Sequence, residues 1–96
     1  MYRAEIISNQ SVQDDISERL EKEIPDIQYT VIPEVHGKGQ RTKKLGDTIW
    51  PEMNFILFAY IQDDEAKKVK EVIAQVKERF PNEGLSLFFT RCEDPE

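Results

Sequence analysis

Hydrophobic and polar positions alternate from Tyr2 to Ile7, with Tyr2, Ala4 and Ile6 on one side and Arg3 and Glu5 on the other. This is the period-two pattern of a half-buried strand. The period then lengthens, because Val12, Ile16, Leu20 and Ile24 recur at every fourth position and so form the apolar stripe of a helix. Ser11 is placed to cap that helix, with Asp14 and Asp15 in its first turn, where negative charge suits the positive end of the helix dipole. Pro25-Asp26 ends it, since proline cannot continue the helical hydrogen bonding. Alternation returns from Ile27 to Val35, with Ile27, Tyr29, Val31 and Val35 sharing a face. Pro33 has no N–H for a ladder, so this strand is expected at a sheet edge. Residues 54–61, NFILFAYI, are apolar at every position from Phe55 onward, as in a strand buried on both sides. A second helix opens at Gln62-Asp63-Asp64, carries Ala66, Val69, Val72, Ile73, Val76 and Phe80 on one face, and stops at Pro81-Asn82-Glu83-Gly84. LSLFFTR, residues 85–91, is the last strand, and CEDPE is expected to fray as a polar tail.

The order βαββαβ predicts an α+β, ferredoxin-like fold: a four-stranded antiparallel sheet, two helices on one face, and a long loop between strands 2 and 3. Strands 1 and 3 should be central. The other face of the sheet is left open, yet strand 3 offers Phe55, Leu57, Ala59 and Ile61 to one side and Ile56, Phe58 and Tyr60 to the other. Burying a large apolar side chain is worth roughly 1.5–3 kcal/mol, so leaving three of them in water forfeits an amount comparable to the stability of a small domain. Copies of the same chain are therefore expected to cover the open face.

Composition adds a charge asymmetry. The 96 residues, expected to form a single domain over 1–96, carry 13 basic and 19 acidic side chains for a net charge of −6, which disfavours nonspecific attraction to nucleic acid or to an anionic membrane. Within 36–51, however, Lys38, Arg41, Lys43 and Lys44 face Asp47 alone, so this segment is +3 and the remainder −9. One cysteine, Cys92, excludes an internal disulfide and every paired-cysteine metal or redox motif. The start MYRAEIIS is not that of a signal peptide and no apolar run is long enough to span a bilayer, so the protein is expected in the cytoplasm with no direct membrane insertion.

The connection between strands 2 and 3 is far longer than the two to five residues of an ordinary hairpin. It begins His36-Gly37-Lys38-Gly39-Gln40-Arg41. Two glycines around a lysine let the backbone turn sharply and aim N–H groups at an anion, while Lys38 and Arg41 supply charge. The spacing matches neither a P-loop nor a dinucleotide fingerprint. On composition alone the segment reads equally as a solvated basic hairpin.

Together with the element order over nearly the whole chain, these residues resemble the PII signalling proteins and their diverged relatives. The strand IQYTVIPEVHGKGQR runs into a Gly-x-Gly-Arg/Lys-Gln-like motif as in PII proteins, and the long loop that follows, about 37–51, occupies the place of their T-loop. LGDTIWPEMN is similar to the Leu-Gly-x-x-x-Trp-Pro-x-x-Asn pattern of a compact subgroup associated with metal-efflux transporters. The resemblance implies a homotrimer that binds a ligand in clefts between subunits and contacts a target protein, such as a membrane transporter or efflux system, through the T-loop. Carried over, it places the ligand at Gly37, Gly39, Gln40 and Arg41, to which Lys38, the variable residue between the glycines, adds its charge, with an adenine nucleotide or another small anion as the ligand class.

The chain also departs from that family. PII proteins have a second glycine-rich phosphate loop after the second helix and a basic segment near the C-terminus; here RFPNEGLSLFF stands in the first place and only CEDPE follows Arg91. Half of the phosphate clamp is thus missing. No tyrosine lies between Gly37 and Pro51 to accept a modification.

The remaining chemistry is sparse. His36 is the only histidine and Cys92 the only thiol, so one copy cannot build a tetrahedral zinc or copper site. No nucleophile and base come together, and no enzyme activity is expected. Asp63, Asp64 and Glu65 are explained as cap and dipole partners at a helix start. Trp50, beside Ile49 and Pro51, is expected to anchor the loop end in a subunit interface or on a partner, and Lys43, Lys44 and Leu45 at the loop tip suit an acidic target surface. Two alternatives stay open: a metal-binding or metal-tolerance trimer of the CutA type, which shares this topology, and a nucleic-acid-binding ferredoxin-like module. The second is disfavoured by the acidic charge and by the lack of stacking motifs.

Overall fold

The computed structural model of the chain describes residues 1–37 and 52–95. The elements are β1 (Tyr2–Asn9), α1 (Gln13–Glu23), β2 (Tyr29–Gly37), β3 (Glu52–Ile61), α2 (Ala66–Arg79) and β4 (Leu85–Arg91), with short 3-10 turns at Gln10–Val12 and Asp63–Glu65 ahead of the two helices. The sheet order is β2-β3-β1-β4, and each neighbouring pair is antiparallel. This is the ferredoxin-like α+β arrangement, with β1 and β3 central and the proline-bearing β2 at an edge.

One face of the sheet and both helices enclose the core. Ala4, Ile6, Phe55, Leu57, Ala59 and Ile61 of the central strands are buried with Val12, Ile16, Leu20 and Ile24 from the first helical segment and Val69, Val72, Ile73 and Val76 from α2. Each set follows from period, two along the strands and three to four along the helices. Ala4 pairs with Ala59 across the two central strands, so the middle of the sheet presents small side chains to the helices above it.

Three local readings change. The first helical segment is capped by Asn9, whose side-chain oxygen accepts from the Ser11 backbone N–H at 2.9 Å; the 3-10 turn inserted before α1 moves the cap two residues ahead of Ser11. Val35 does not share a face with Tyr29 and Val31. The register shifts between Ile32 and Val35, so that Val35 pairs with Asn54 and turns to the open face, because a bulge at Pro33-Glu34 adds one residue to β2. Finally, the polar tail begins attached, with the Cys92 backbone N–H donating to the Met1 carbonyl at 3.1 Å.

Candidate functional site

The antiparallel register gathers the loop ends on one side of the molecule. β1 ends there at Asn9, β2 ends at Gly37, β3 begins at Glu52 opposite Gly37, and β4 begins at Leu85. Asn9 lies opposite Asn54, and Asn54 opposite Val35, so the outward rows of the two central strands end here in adjacent asparagines. A Cβ added at Gly37 would run into the Asn54 carboxamide. A larger residue here would require the Asn54 carboxamide to turn away from the end of β2. The Pro33 carbonyl at the bulge accepts from Gln10 Nε2 at 2.6 Å, which ties the turn after β1 to the last segment of β2. The turn after α2 arrives at the same end: Gly84 offers its carbonyl to the Asn9 backbone N–H at 3.2 Å and to the buried Ser8 hydroxyl at 2.7 Å.

Of the residues expected to bind ligand, Gly37 therefore closes β2 at this root. Lys38, Gly39, Gln40 and Arg41 lie outside the described residues, as do Lys43, Lys44, Leu45, Ile49 and Trp50 of the expected partner surface. His36 is exposed and sits opposite Met53. Among the described residues no group of three histidine, cysteine or acidic side chains comes together. Asn54 closes the Trp-Pro-x-x-Asn pattern and the 80–84 turn reads in the sequence as the end of the second helix, whereas Asn9 and Gln10 are not singled out by it. For Asn54 the signal is that it is the polar residue directly before the apolar run from Phe55; Asn9, which follows Ser8 in β1, has no such signal.

The open face of the sheet adjoins this root. Its outward positions include Arg3, Glu5 and Ile7 on β1, Ile56, Phe58 and Tyr60 on β3, Thr30 and Ile32 on β2, and Ser86, Phe88 and Thr90 on β4, as the paired registers require. Ile32, Tyr60 and Phe88 are 41%, 58% and 55% exposed, values that leave these large side chains without cover in one copy. Arg3 spreads its guanidinium 4.4 Å above the Phe58 ring and donates through Nη2 to Glu5 Oε1 at 3.0 Å.

At the opposite end of the sheet, Asp63 accepts from the Met1 ammonium at 2.7 Å and from Arg91 Nη1 at 3.3 Å. Its carboxyl is held below the usual range chiefly by the hydrogen bond from the ammonium; partial desolvation opposes this, and the Arg91 contact reinforces it. Asp63 is thus an ion-pair clamp rather than only a dipole partner. Glu65 keeps the capping role, accepting from the Gln62 backbone N–H at 2.8 Å.

No protein-family model matches the sequence, and no curated protein matches it either. Solved structures do. A PII-like signalling protein from Thermus thermophilus superposes with a TM-score of 0.64 and 14% identity, over 93% of this chain and 83% of its own. The protein CPII from Thiomonas intermedia K12, bound to ADP and bicarbonate, superposes with a TM-score of 0.70 and 14% identity, over 93% and 82% of the two chains. The same nitrogen regulatory PII-like protein, bound to ADP, AMP and bicarbonate, gives 0.66 and 13%, over 99% and 94%. At these identities the likeness is one of fold, and the fold of this chain is that of the PII-like signalling proteins.

Proposed function

We propose that the chain is a non-enzymatic regulator of PII-like type: a homotrimer that takes a small anionic ligand in clefts between subunits and controls a target protein through its 37–51 T-loop. The observation that carries this reading is the uncovered apolar face of the sheet, which adjoins the loop root at Gly37, Asn54 and Asn9. Copies packed on that face would create grooves beside the most basic segment of the sequence. Gly37, Lys38, Gly39, Gln40 and Arg41 would hold the ligand, with the lysine and arginine as charge-assisted donors. Lys43, Lys44, Leu45, Ile49 and Trp50 would meet the target, such as a membrane transporter. A ligand at the root would select one loop arrangement, and that arrangement alone would dock.

Adenine nucleotides and bicarbonate are the first ligands to try, because the PII-like neighbour from Thiomonas intermedia binds them. The present chain would meet the phosphates without a glycine-rich loop after α2, where Pro81-Asn82-Glu83-Gly84 stands. The test is a thermal-shift and calorimetric panel of ADP, AMP and bicarbonate. Replacing Lys38 and Arg41 together by alanine should weaken binding of the responding ligand at least tenfold, since each charged hydrogen bond contributes about 1.5–3 kcal/mol. The sedimentation coefficient should not change. A double variant that binds as the wild type does would remove the ligand from this segment.

A further inference from the structure

We infer that Arg3 and Glu5 form the polar lock of the copy-to-copy contact, with Arg3 of one copy donating to Glu5 of the next. The inference rests on the assembly reading above and adds the residues that set its geometry. Both lie on β1, a central strand, and so at the middle of the open face, where Glu5 is opposite Phe58 and Phe88 and Arg3 is opposite Tyr60 and Thr90. From Asn54 to Tyr60 on β3 and from Ser86 to Thr90 on β4 there is no other charged residue. Arg3 and Glu5 thus stand opposite uncharged residues on both neighbouring strands, Tyr60 and Phe58 on β3 and Thr90 and Phe88 on β4.

Its bonding is incomplete in a single copy. The guanidinium makes one hydrogen bond, from Nη2 to Glu5 Oε1, and rests on the Phe58 ring. Among the described residues its other N–H groups and the second carboxylate oxygen have no further bond of this kind. In water this costs little. Covered by an apolar surface, both charges would lose solvation that the single contact does not restore, so burial demands a partner with a spare acceptor and a spare donor. A second copy of the same face offers both. In a closed head-to-tail ring every Arg3 meets a neighbour's Glu5 and every Glu5 a neighbour's Arg3, so the spare groups match around the ring. An anion would satisfy Arg3 and strand Glu5, and a wholly apolar surface would strand both. The pair also opposes sliding of one copy over the next, because any other register leaves a charge against Ile7, Ile56 or Phe58.

Sedimentation equilibrium of the full chain tests this with Arg3→Glu, Glu5→Arg, the combined exchange, and an equimolar mixture of the two single variants; circular dichroism reports that each remains folded. Each single variant should associate at least tenfold more weakly than the wild type. The combined exchange should restore association. The mixture should recover part of it, since one variant then carries acidic side chains at both positions and the other basic side chains at both, although a ring of three keeps one like-charge contact. Single variants that assemble like the wild type would overturn the lock while leaving the assembly itself standing. A mixture that gains nothing, beside an exchange that is fully restored, would confine the pair to one chain and overturn it as well. A wild type that sediments as a monomer at micromolar concentration would mean that something other than a second copy covers the face, and would overturn both this inference and the reading on which it rests.

Discussion

Ser8 is the one polar side chain buried with the core among the described residues, 1% exposed and adjacent along β1 to the loop root. Its hydroxyl is tolerated there because it donates to the Gly84 carbonyl at 2.7 Å, and the same carbonyl also receives the Asn9 backbone N–H. Alanine at this position would leave no cavity of consequence but would withdraw one of the two donors from a partly buried carbonyl. The expected loss is about 1–2 kcal/mol, read as a fall in melting temperature of about 4–16 °C for a domain of this size; an unchanged melting curve would show that the Asn9 contact satisfies Gly84 alone. Gly37 is the position whose missing side chain gives room to a neighbour. The Asn54 carboxamide occupies the space of its missing Cβ, and the sequence could not reveal this, because the glycine reads equally well as the first residue of a loop and as the last residue of a strand lying close to its neighbour.

Elements are legible where one period runs unbroken. LSLFFTR is β4 residue for residue, and the apolar stripes of α1 and α2 supply the buried helix positions. The sequence is less legible where local chemistry interrupts the period. β1 runs on through Ser8 and Asn9 because Ser8 buries its hydroxyl against Gly84, and a polar pair at a strand end looks like a turn until that acceptor is known. The bulge at Pro33-Glu34 sends Val35 to the opposite face; the proline announces an edge but not the extra residue. At the loop root, Gly37 and Asn54 are marked in the sequence by the Gly-x-Gly and Trp-Pro-x-x-Asn patterns, whereas Asn9 joins through its register with Asn54 and the 80–84 turn through the Gly84 carbonyl. Asp63 ties three elements together at the other end, β1 through the Met1 ammonium, β4 through Arg91, and α2 through its own position in the preceding turn. Its folded pKa is lowered, so its contribution to stability is complete above the unfolded value of about 3.9 and is lost as pH falls through that value and the folded one. Asp63→Asn should therefore be less stable than the wild type in urea at pH 6, with the gap closing as pH falls below the unfolded value and through the lowered folded one. A gap that is constant with pH would assign the effect to the amide itself rather than to the charge.

For the whole molecule the decisive quantity is the area of apolar sheet that one copy leaves in water. Scattered exposed hydrophobic residues are ordinary on soluble proteins, but Ile32, Tyr60 and Phe88 belong to one face together with the half-buried Ile7, Ile56 and Phe58, and a contiguous patch marks an interaction surface. If copies cover it, folding and assembly are linked. Association stabilises the folded form by mass action, so the melting temperature should rise with protein concentration. Exchanging Tyr60 and Phe88 for serine removes two large side chains from each face; since each is little more than half exposed in one copy, the loss on association is about 1.5–3 kcal/mol, half the usual value for full burial, which corresponds to at least tenfold weaker association. Because both side chains are more than half exposed in the single copy, the variant should keep its fold and its circular dichroism while its melting temperature becomes lower and independent of concentration. A concentration series separates this from a simple loss of fold stability: a fold effect shifts the melting temperature by the same amount at every dilution, whereas an assembly effect shrinks on dilution, as the wild type dissociates toward the state that the variant already occupies.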